Sequence, residues 1–124
     1  MYSKEAKIPR MKLNVFKKKL AINPTAITFS ETMKVIDSRY SFTPTAYSNG
    51  GIKNEVGQNS GSCKLFSFAI KEGFSKEETL VCFGSYYFDE VLLEPEGTAH
   101  QNIRNFMKTG FEGLSFDGDP LTII

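Results

Sequence analysis

A polar loop that runs directly into an apolar helix pattern constrains the fold of this chain more than any other feature. Residues 57–62 are small or polar, Cys63 follows, and apolar residues then recur at helical spacing from Leu65 onward. Ser60 or Ser62 is predicted to cap this helix, because serine is a preferred capping residue. Unpaired amides in a first helical turn also attract anions and favour a thiolate. We therefore expect a candidate site beside the helix that begins here.

Capping boxes and turn signals on both sides of this junction set the remaining elements. Thr28–Glu31 and Ser75–Glu78 each have the Ser/Thr-x-x-Glu pattern that begins a helix, and Thr98 is predicted to cap a further helix. Asn49-Gly50-Gly51 is a strong hairpin turn signal, and residues 114–123 are predicted to form a closing hairpin. The sequence therefore predicts an α+β fold, with about five helices packed on a small antiparallel sheet built from hairpins.

The length of the chain fits one domain. A chain of 124 residues is long enough to bury one hydrophobic core. Residues 1–10 are polar and are predicted to form a disordered N-terminal lead-in that ends near Pro9. The single domain is therefore assigned to residues 11–124.

Charge and hydropathy argue against two classes of partner. The formal net charge is +1, without the basic excess that is typical of nucleic-acid binders. No apolar run approaches the roughly 20 residues that a membrane-spanning helix needs, and no segment has the pattern of a signal peptide. We therefore expect a protein that is cytoplasmic in the producing cell, or one exported by a route that needs no cleaved signal.

The two cysteines are predicted to be free thiols, because no signal directs the chain to an oxidising compartment. Cys63 and Cys82 lack the paired C-x-x-C spacing of zinc sites. No dinucleotide, Walker or zinc-peptidase motif is present either. We therefore predict no metal site and no cofactor.

A nucleophilic role for Cys63 is one hypothesis for the junction. The string from Gln58 to Phe66 superficially resembles the active-site stretch of papain-like cysteine peptidases, where an upstream Gln stabilises an oxyanion and the Cys begins a helix. The sequence departs from that family at Lys64, where the family has an aromatic residue, and its sole histidine, His100, is predicted on a helix rather than a strand. Because a thiolate needs a base, Cys63 and His100 are the candidate catalytic pair for acyl or amide chemistry. A buried, inert Cys63 is the alternative.

Amide and hydroxyl side chains are concentrated in two stretches, residues 54–64 and 96–105. We expect these stretches either to meet around a polar pocket or to satisfy the backbones of loops and helix caps. Glu96, His100 and Arg104 are spaced by four, which on one helix face would suit a carboxylate or phosphate ligand. The candidate ligand-binding residues are Asn54, Glu55, Gln58, Asn59, Ser62, Glu96, His100, Asn102 and Arg104.

Most of the chain, from about Leu13 to Thr122, resembles the HopJ type III effector family. The resemblance is carried by the strings Val35-Ile36-Asp37, Phe42-Thr43-Pro44-Thr45-Ala46-Tyr47, Asn49-Gly50, Asn54-Glu55, Gly57-Gln58-Asn59, Gly61-Ser62-Cys63-Lys64, Cys82-Phe83-Gly84, Tyr86-Tyr87, Pro95-Glu96-Gly97-Thr98, His100-Gln101-Asn102-Ile103-Arg104-Asn105-Phe106-Met107 and Leu114-Ser115-Phe116. The family is named for a protein that plant-pathogenic bacteria deliver through a type III apparatus, and it has no settled biochemical activity. The resemblance therefore implies a bacterial effector-like protein that type III secretion can export, and it assigns no catalytic roles.

The leading functional hypothesis joins this resemblance to the two polar stretches. We expect a HopJ-like protein that binds a polar small molecule, or a host or bacterial protein, in a pocket between residues 54–64 and 96–105. The alternatives are the cysteine enzyme and a protein-interaction module without a pocket. No nucleic acid or membrane partner is predicted, and the sequence leaves the ligand and the oligomeric state open.

Overall fold

The central element of the fold is the helix that begins after the polar loop. A computed structural model describes residues 4–124 of the chain, with side chains from Lys12 onward. The central helix, α3 (Ser60–Glu72), buries Leu65, Phe66 and Phe68 completely. The Phe66 ring packs against Phe83 and Phe106, with ring centroids 5.5 Å and 4.8 Å away. Phenylalanine side chains from several helices thus meet around α3 and form much of the core.

Within residues 4–124, four further α-helices surround α3. They are α1 (Lys4–Ile22), α2 (Phe29–Arg39), α4 (Lys76–Val81) and α5 (Gln101–Thr109), with 3-10 turns at Pro24–Ala26 and Gly110–Gly113 and a π-helical segment at Tyr86–Val91. Both predicted capping boxes are confirmed. Thr28 Oγ1 accepts a hydrogen bond from the Glu31 amide at 3.1 Å, and Ser75 Oγ accepts one from the Glu78 amide at 3.1 Å. Each Glu side chain in turn accepts the amide of its capping residue, as a capping box requires.

Helix α1 starts earlier than the sequence predicted. Residues 1–10 were expected to form a disordered lead-in, but the backbone is helical from Lys4 onward. The residues from Lys4 to Lys7 are good helix formers, so the helix extends ahead of Pro9, whose nitrogen cannot donate a hydrogen bond to the preceding turn. Residues 1–3 of the predicted lead-in lie outside the described residues.

Two small antiparallel sheets complete the α+β fold that the sequence predicted. The strands are β1 (Tyr40–Phe42), β2 (Tyr47–Asn49), β3 (Ile52–Asn54), β4 (Leu114–Phe116) and β5 (Leu121–Ile123). One sheet has the order β3-β2-β4, and the other pairs β1 with β5. The hairpin turn between β2 and β3 is confirmed, with Gly50 and Gly51 at φ of 56° and 94°, as a two-residue turn of type I′ requires.

The predicted closing hairpin is wrong. Strand β4 pairs with β2 and strand β5 pairs with β1, so the two tail strands join different sheets. An aromatic pair favours this arrangement, because Tyr47 lies opposite Phe116 in the β2–β4 register and their rings stack at 5.5 Å. The tail therefore closes the fold against strands that lie about 65 to 83 residues earlier in the chain.

A nearly buried carboxylate joins the first three helices. Glu72 at the end of α3 receives a hydrogen bond from the Tyr40 hydroxyl at 2.7 Å and pairs with Lys17 at 2.9 Å. Burial raises the pKa of Glu72, but the Tyr40 hydrogen bond and the charges of Lys17 and Arg39 outweigh it, so the net pKa is lowered. Glu72 therefore fixes α1 and α2 against α3 in its ionised form.

None of the helices within residues 4–124 has the length and apolar character needed to cross a bilayer.

Candidate functional site

Two helices begin with a residue in the left-handed conformation. Helix α3 follows Asn59, with φ of 50°, and helix α5 follows His100, with φ of 58°. In the described chain these are the non-glycine residues with positive φ, and neither side chain caps its own helix. The predicted caps Ser60, Ser62 and Thr98 are therefore wrong. The left-handed residue turns the chain sharply into each helix and leaves first-turn amides without a side-chain cap.

Asn54 links the two helix starts. Its Oδ1 accepts hydrogen bonds from Asn59 Nδ2 at 2.7 Å and from Asn102 Nδ2 at 3.0 Å. Asn49 Nδ2 donates to the main-chain oxygen of Asn102 at 2.8 Å and to its Oδ1 at 2.9 Å. Asn49, Asn54 and Asn102 are all buried. The two polar stretches therefore meet as the sequence predicted, but several of their amides hold the backbone together, which was the alternative role considered for them.

A cleft of about 450 Å³ lies where the two helix starts meet. Its lining joins the first turns of α3 and α5 to aromatic and aliphatic side chains. The lining residues are Phe29, Ile52, Asn59, Gly61, Ser62, Phe83, Tyr86, His100, Gln101, Asn102 and Ile103. Of the candidate ligand-binding residues, the cleft brings together Asn59, Ser62, His100 and Asn102. Sequence reasoning missed the aromatic wall, because residues such as Phe29 have the same spacing as core residues.

His100 is held in the cleft by the π-helical segment. Its Nε2 lies 2.9 Å from Glu90 Oε1, and its ring centroid lies 5.1 Å from that of Tyr86. Glu90 and Tyr86 both belong to the segment Tyr86–Val91, and sequence reasoning assigned no role to Glu90. The Glu90 contact leaves Nδ1 as the second ring nitrogen available to a ligand.

Cys63 does not have the surroundings of a nucleophile. Its side chain is buried, and the thiol donates to the main-chain oxygen of Thr45 with a separation of 3.7 Å. Burial raises the pKa of Cys63 to about 11, even though the contact with the Thr45 oxygen acts in the other direction. Cys63 is absent from the cleft lining, whereas His100 lies in that lining and contacts Glu90. The geometry therefore gives the proposed thiolate–imidazole pair no support.

Two further candidates, Glu55 and Gln58, lie in the exposed turn that follows β3. Gln58 Oε1 accepts the Glu55 amide at 2.9 Å, and the Gln58 amide donates to the Glu55 main-chain oxygen at 2.9 Å. Both side chains are exposed, and neither lines the cleft. Their polar groups serve the turn.

The predicted line of Glu96, His100 and Arg104 on one helix face is wrong. Helix α5 begins after His100, so Glu96 and His100 precede it. Their spacing of four therefore does not place them on one helix face with Arg104. Arg104 turns to the preceding loop, where Nε donates to the main-chain oxygen of Ala99 at 2.6 Å. Glu96 and Arg104 line a second cavity of about 490 Å³ instead.

Within the described residues, no three His, Cys, Asp or Glu side chains come together as a set of metal ligands.

Known proteins match this chain over most of its length. The family model described as "HopJ type III effector protein" matches residues 13–121. A solved structure described as "Crystal structure of unknown function protein VPA0580" is 48% identical to this chain, with a TM-score of 0.88. The match covers 90% of this chain and 93% of that chain. Comparison with curated proteins gives no match.

Proposed function

This chain belongs to the HopJ type III effector protein family, and we propose that it binds a small ligand in the cleft between the starts of α3 and α5. The ligand would carry an anionic or strongly polar group on a flat apolar body. The observation that carries the proposal is the position of His100, which the cleft presents between two uncapped helix starts and an aromatic wall.

The polar end of the cleft suits an anionic group. Both helices begin beside the cleft without a side-chain cap, and the partial positive charge of a helix N-terminus attracts an anion. Ser62 and His100 lie in the same lining, and the His100 ring can donate a further hydrogen bond. The negative charge of Glu90 would repel an anionic ligand. Its carboxylate, however, contacts His100 Nε2 at 2.9 Å, on the side of the ring away from Nδ1. Together, the two helix starts and His100 favour a ligand whose anionic group lies near His100 Nδ1 and the first-turn amides.

The opposite wall suits a flat apolar group. Phe29 stacks on Phe83 with ring centroids 6.1 Å apart and meets Tyr86 edge to face at 5.3 Å. A Cβ atom on Gly61 would lie 2.8 Å from Phe29 Cζ, so glycine is what allows the ring to close against the start of α3. An aromatic ring of the ligand would gain offset or edge contacts with these side chains.

Binding is a better proposal than catalysis for this cleft. The thiol that the sequence offered as a nucleophile is buried outside the lining, with its pKa raised to about 11. Export by type III secretion, which the family description suggests, stays a prediction for this chain.

The test is a titration of the full chain with phenyl phosphate, benzoate and benzyl alcohol, followed by backbone amide NMR. We expect phenyl phosphate and benzoate to shift the amides of residues 60–62 and 101–102 saturably, and the uncharged alcohol to bind more weakly. His100→Ala should weaken phenyl phosphate binding about tenfold, since it removes one strong hydrogen bond. Gln58→Ala, which alters a neighbouring polar side chain outside the cleft, should leave the affinity unchanged.

The proposal fails if neither anion shifts these amides at tens of millimolar. It also fails if His100→Ala and Gln58→Ala change the affinity equally. A chain that binds none of the three probes would favour the pocketless interaction module.

A further inference from the structure

A buried arginine without a carboxylate partner lies outside the cleft just described. Arg104 is only 9% exposed. Its Nε donates to the Ala99 oxygen at 2.6 Å, and Nη1 donates to the Glu94 oxygen at 2.7 Å. No ion pair within residues 12–124, for which side chains are described, includes Arg104.

Hydrogen bonds to carbonyl groups orient this guanidinium but do not neutralise it. A buried charge is costly unless an opposite charge compensates it, and buried arginines are usually paired. The free Nη2 group faces toward Gly97, where an added Cβ would lie only 2.7 Å from Nη2. Gly97 therefore leaves room at the guanidinium, and an anion bound there would supply the missing charge.

The cavity that Arg104 lines has both charges and an apolar surface. Its volume is about 490 Å³, and Lys108 and Glu96 contribute a second positive charge and a negative one. The apolar lining consists of Val91, Leu92, Pro95 and Met107. Because Glu96 repels a ligand of net negative charge, the cavity favours a molecule that carries a carboxylate and a positive group together.

We propose that this cavity binds an aliphatic α-amino acid in its zwitterionic form. Arg104 and Lys108 would hold the carboxylate, and Glu96 would hold the ammonium group. The side chain would lie against Leu92, Pro95 and Met107. Arginine suits the carboxylate because its planar fork can donate two parallel hydrogen bonds. The site is independent of the proposed function, although Gln101 lines both cavities.

Three ligands separate the contributions of the two charged groups. The full chain is titrated calorimetrically with L-leucine, with N-acetyl-leucine, which lacks the ammonium group, and with leucinamide, which lacks the carboxylate. We expect leucine to bind in the millimolar range or tighter and each blocked analogue to bind about tenfold more weakly, equivalent to about 1.4 kcal/mol.

Glu96 and Lys108 are exposed, so variants at these two positions test the assigned contacts without disturbing the Arg104 hydrogen bonds. Glu96→Gln should make leucine and N-acetyl-leucine bind equally, and Lys108→Gln should weaken both of them while leaving leucinamide unchanged. Gly97→Ala should reduce leucine binding through the Nη2 contact, with every charge retained. Gln58→Ala, whose exposed side chain lines neither cavity, should have no effect on leucine.

Two results would overturn the assignment. One is the absence of binding for all three ligands at tens of millimolar. The other is N-acetyl-leucine binding as tightly as leucine to the unsubstituted chain, which would mean that the cavity takes a simple anion and that Glu96 has no role.

Discussion

Helices α2 to α5 begin in two different ways. Helices α2 and α4 follow Thr28 and Ser75, whose side chains cap the helix within a local capping box. Helices α3 and α5 follow Asn59 and His100, which adopt the left-handed conformation and make no cap of their own. The capped pair is held by residues three positions apart in sequence, whereas the uncapped pair is held through Asn54, which lies 5 positions from Asn59 and 48 from Asn102.

The two kinds of helix start differ in how many first-turn amides they leave available to a ligand. A capping box satisfies the amides of the N-cap and N3 residues with its own side chains, so fewer donors are left for a ligand. At α3 and α5 the amide side chain of Asn54 instead fixes Asn59 and Asn102 from the outside. The first turns are thus held in place while the cleft beside them stays open. We place the ligand at the uncapped starts of α3 and α5, and we assign a purely structural role to the capped starts of α2 and α4.

The largest effect should come from removing the link between the two uncapped starts. Asn54→Ala deletes the oxygen that Asn59 and Asn102 share and leaves polar groups unpaired beside a small cavity. We expect it to lower the free energy of unfolding by about 2–4 kcal/mol, measured by denaturant titration. Thr28→Ala and Ser75→Ala, the matched changes at the capped starts, should each cost about 1 kcal/mol.

An Asn54→Ala variant that loses no more stability than Ser75→Ala would break the comparison. The uncapped starts would then be stable without their external link, and the asparagine hydrogen bonds would not explain their geometry.

The sequence predicted the capped starts because their information is local. Thr28–Glu31 and Ser75–Glu78 are complete motifs within four residues, and the glycine turn at residues 49–51 is equally short. The left-handed starts carry no comparable signal. Neither Asn59 nor His100 is a glycine, and each makes its side-chain contact with another element: Asn59 with Asn54 of β3, and His100 with Glu90 of the π-helical segment.

The candidate site was predicted in part for the same reason. Composition offered a meeting of the stretches 54–64 and 96–105 as one of two interpretations, and Asn54 does join them. Composition could not show which side chains of these stretches would face away from the cleft. Arg104 faces another cavity because the chain reverses at His100, and the π-helical segment that places Glu90 beside His100 has no recognised pattern.

A smaller effect, with an unusual sign, should mark the left-handed positions. At His100 a glycine should be more stable than an alanine by about 1 kcal/mol, because only glycine adopts positive φ without strain. At Lys108, which is exposed within α5, the order should reverse, since alanine favours the helix by about 1 kcal/mol. Unfolding midpoints of the four variants give both differences, and the same order at both sites would argue against strain at His100.

The smallest expected effect is a loss of stabilisation in acid at a capped helix start, with no counterpart at the uncapped starts. Burial raises the pKa of Glu31, but hydrogen bonds from Lys19 and the Thr28 amide and the Lys19 charge lower it below its ordinary value of 4.5. Because the folded pKa is the lower one, the stabilisation is complete above 4.5 and is lost as the pH falls through the folded pKa. The stability difference between the wild type and Glu31→Gln should therefore shrink between neutral pH and about pH 3. The difference for Asn54→Ala should stay constant over that range, because amide side chains do not titrate. Unfolding titrations of the three proteins at both pH values measure this, and a pH-dependent Asn54→Ala difference would show that an ionisable group takes part in holding the uncapped starts.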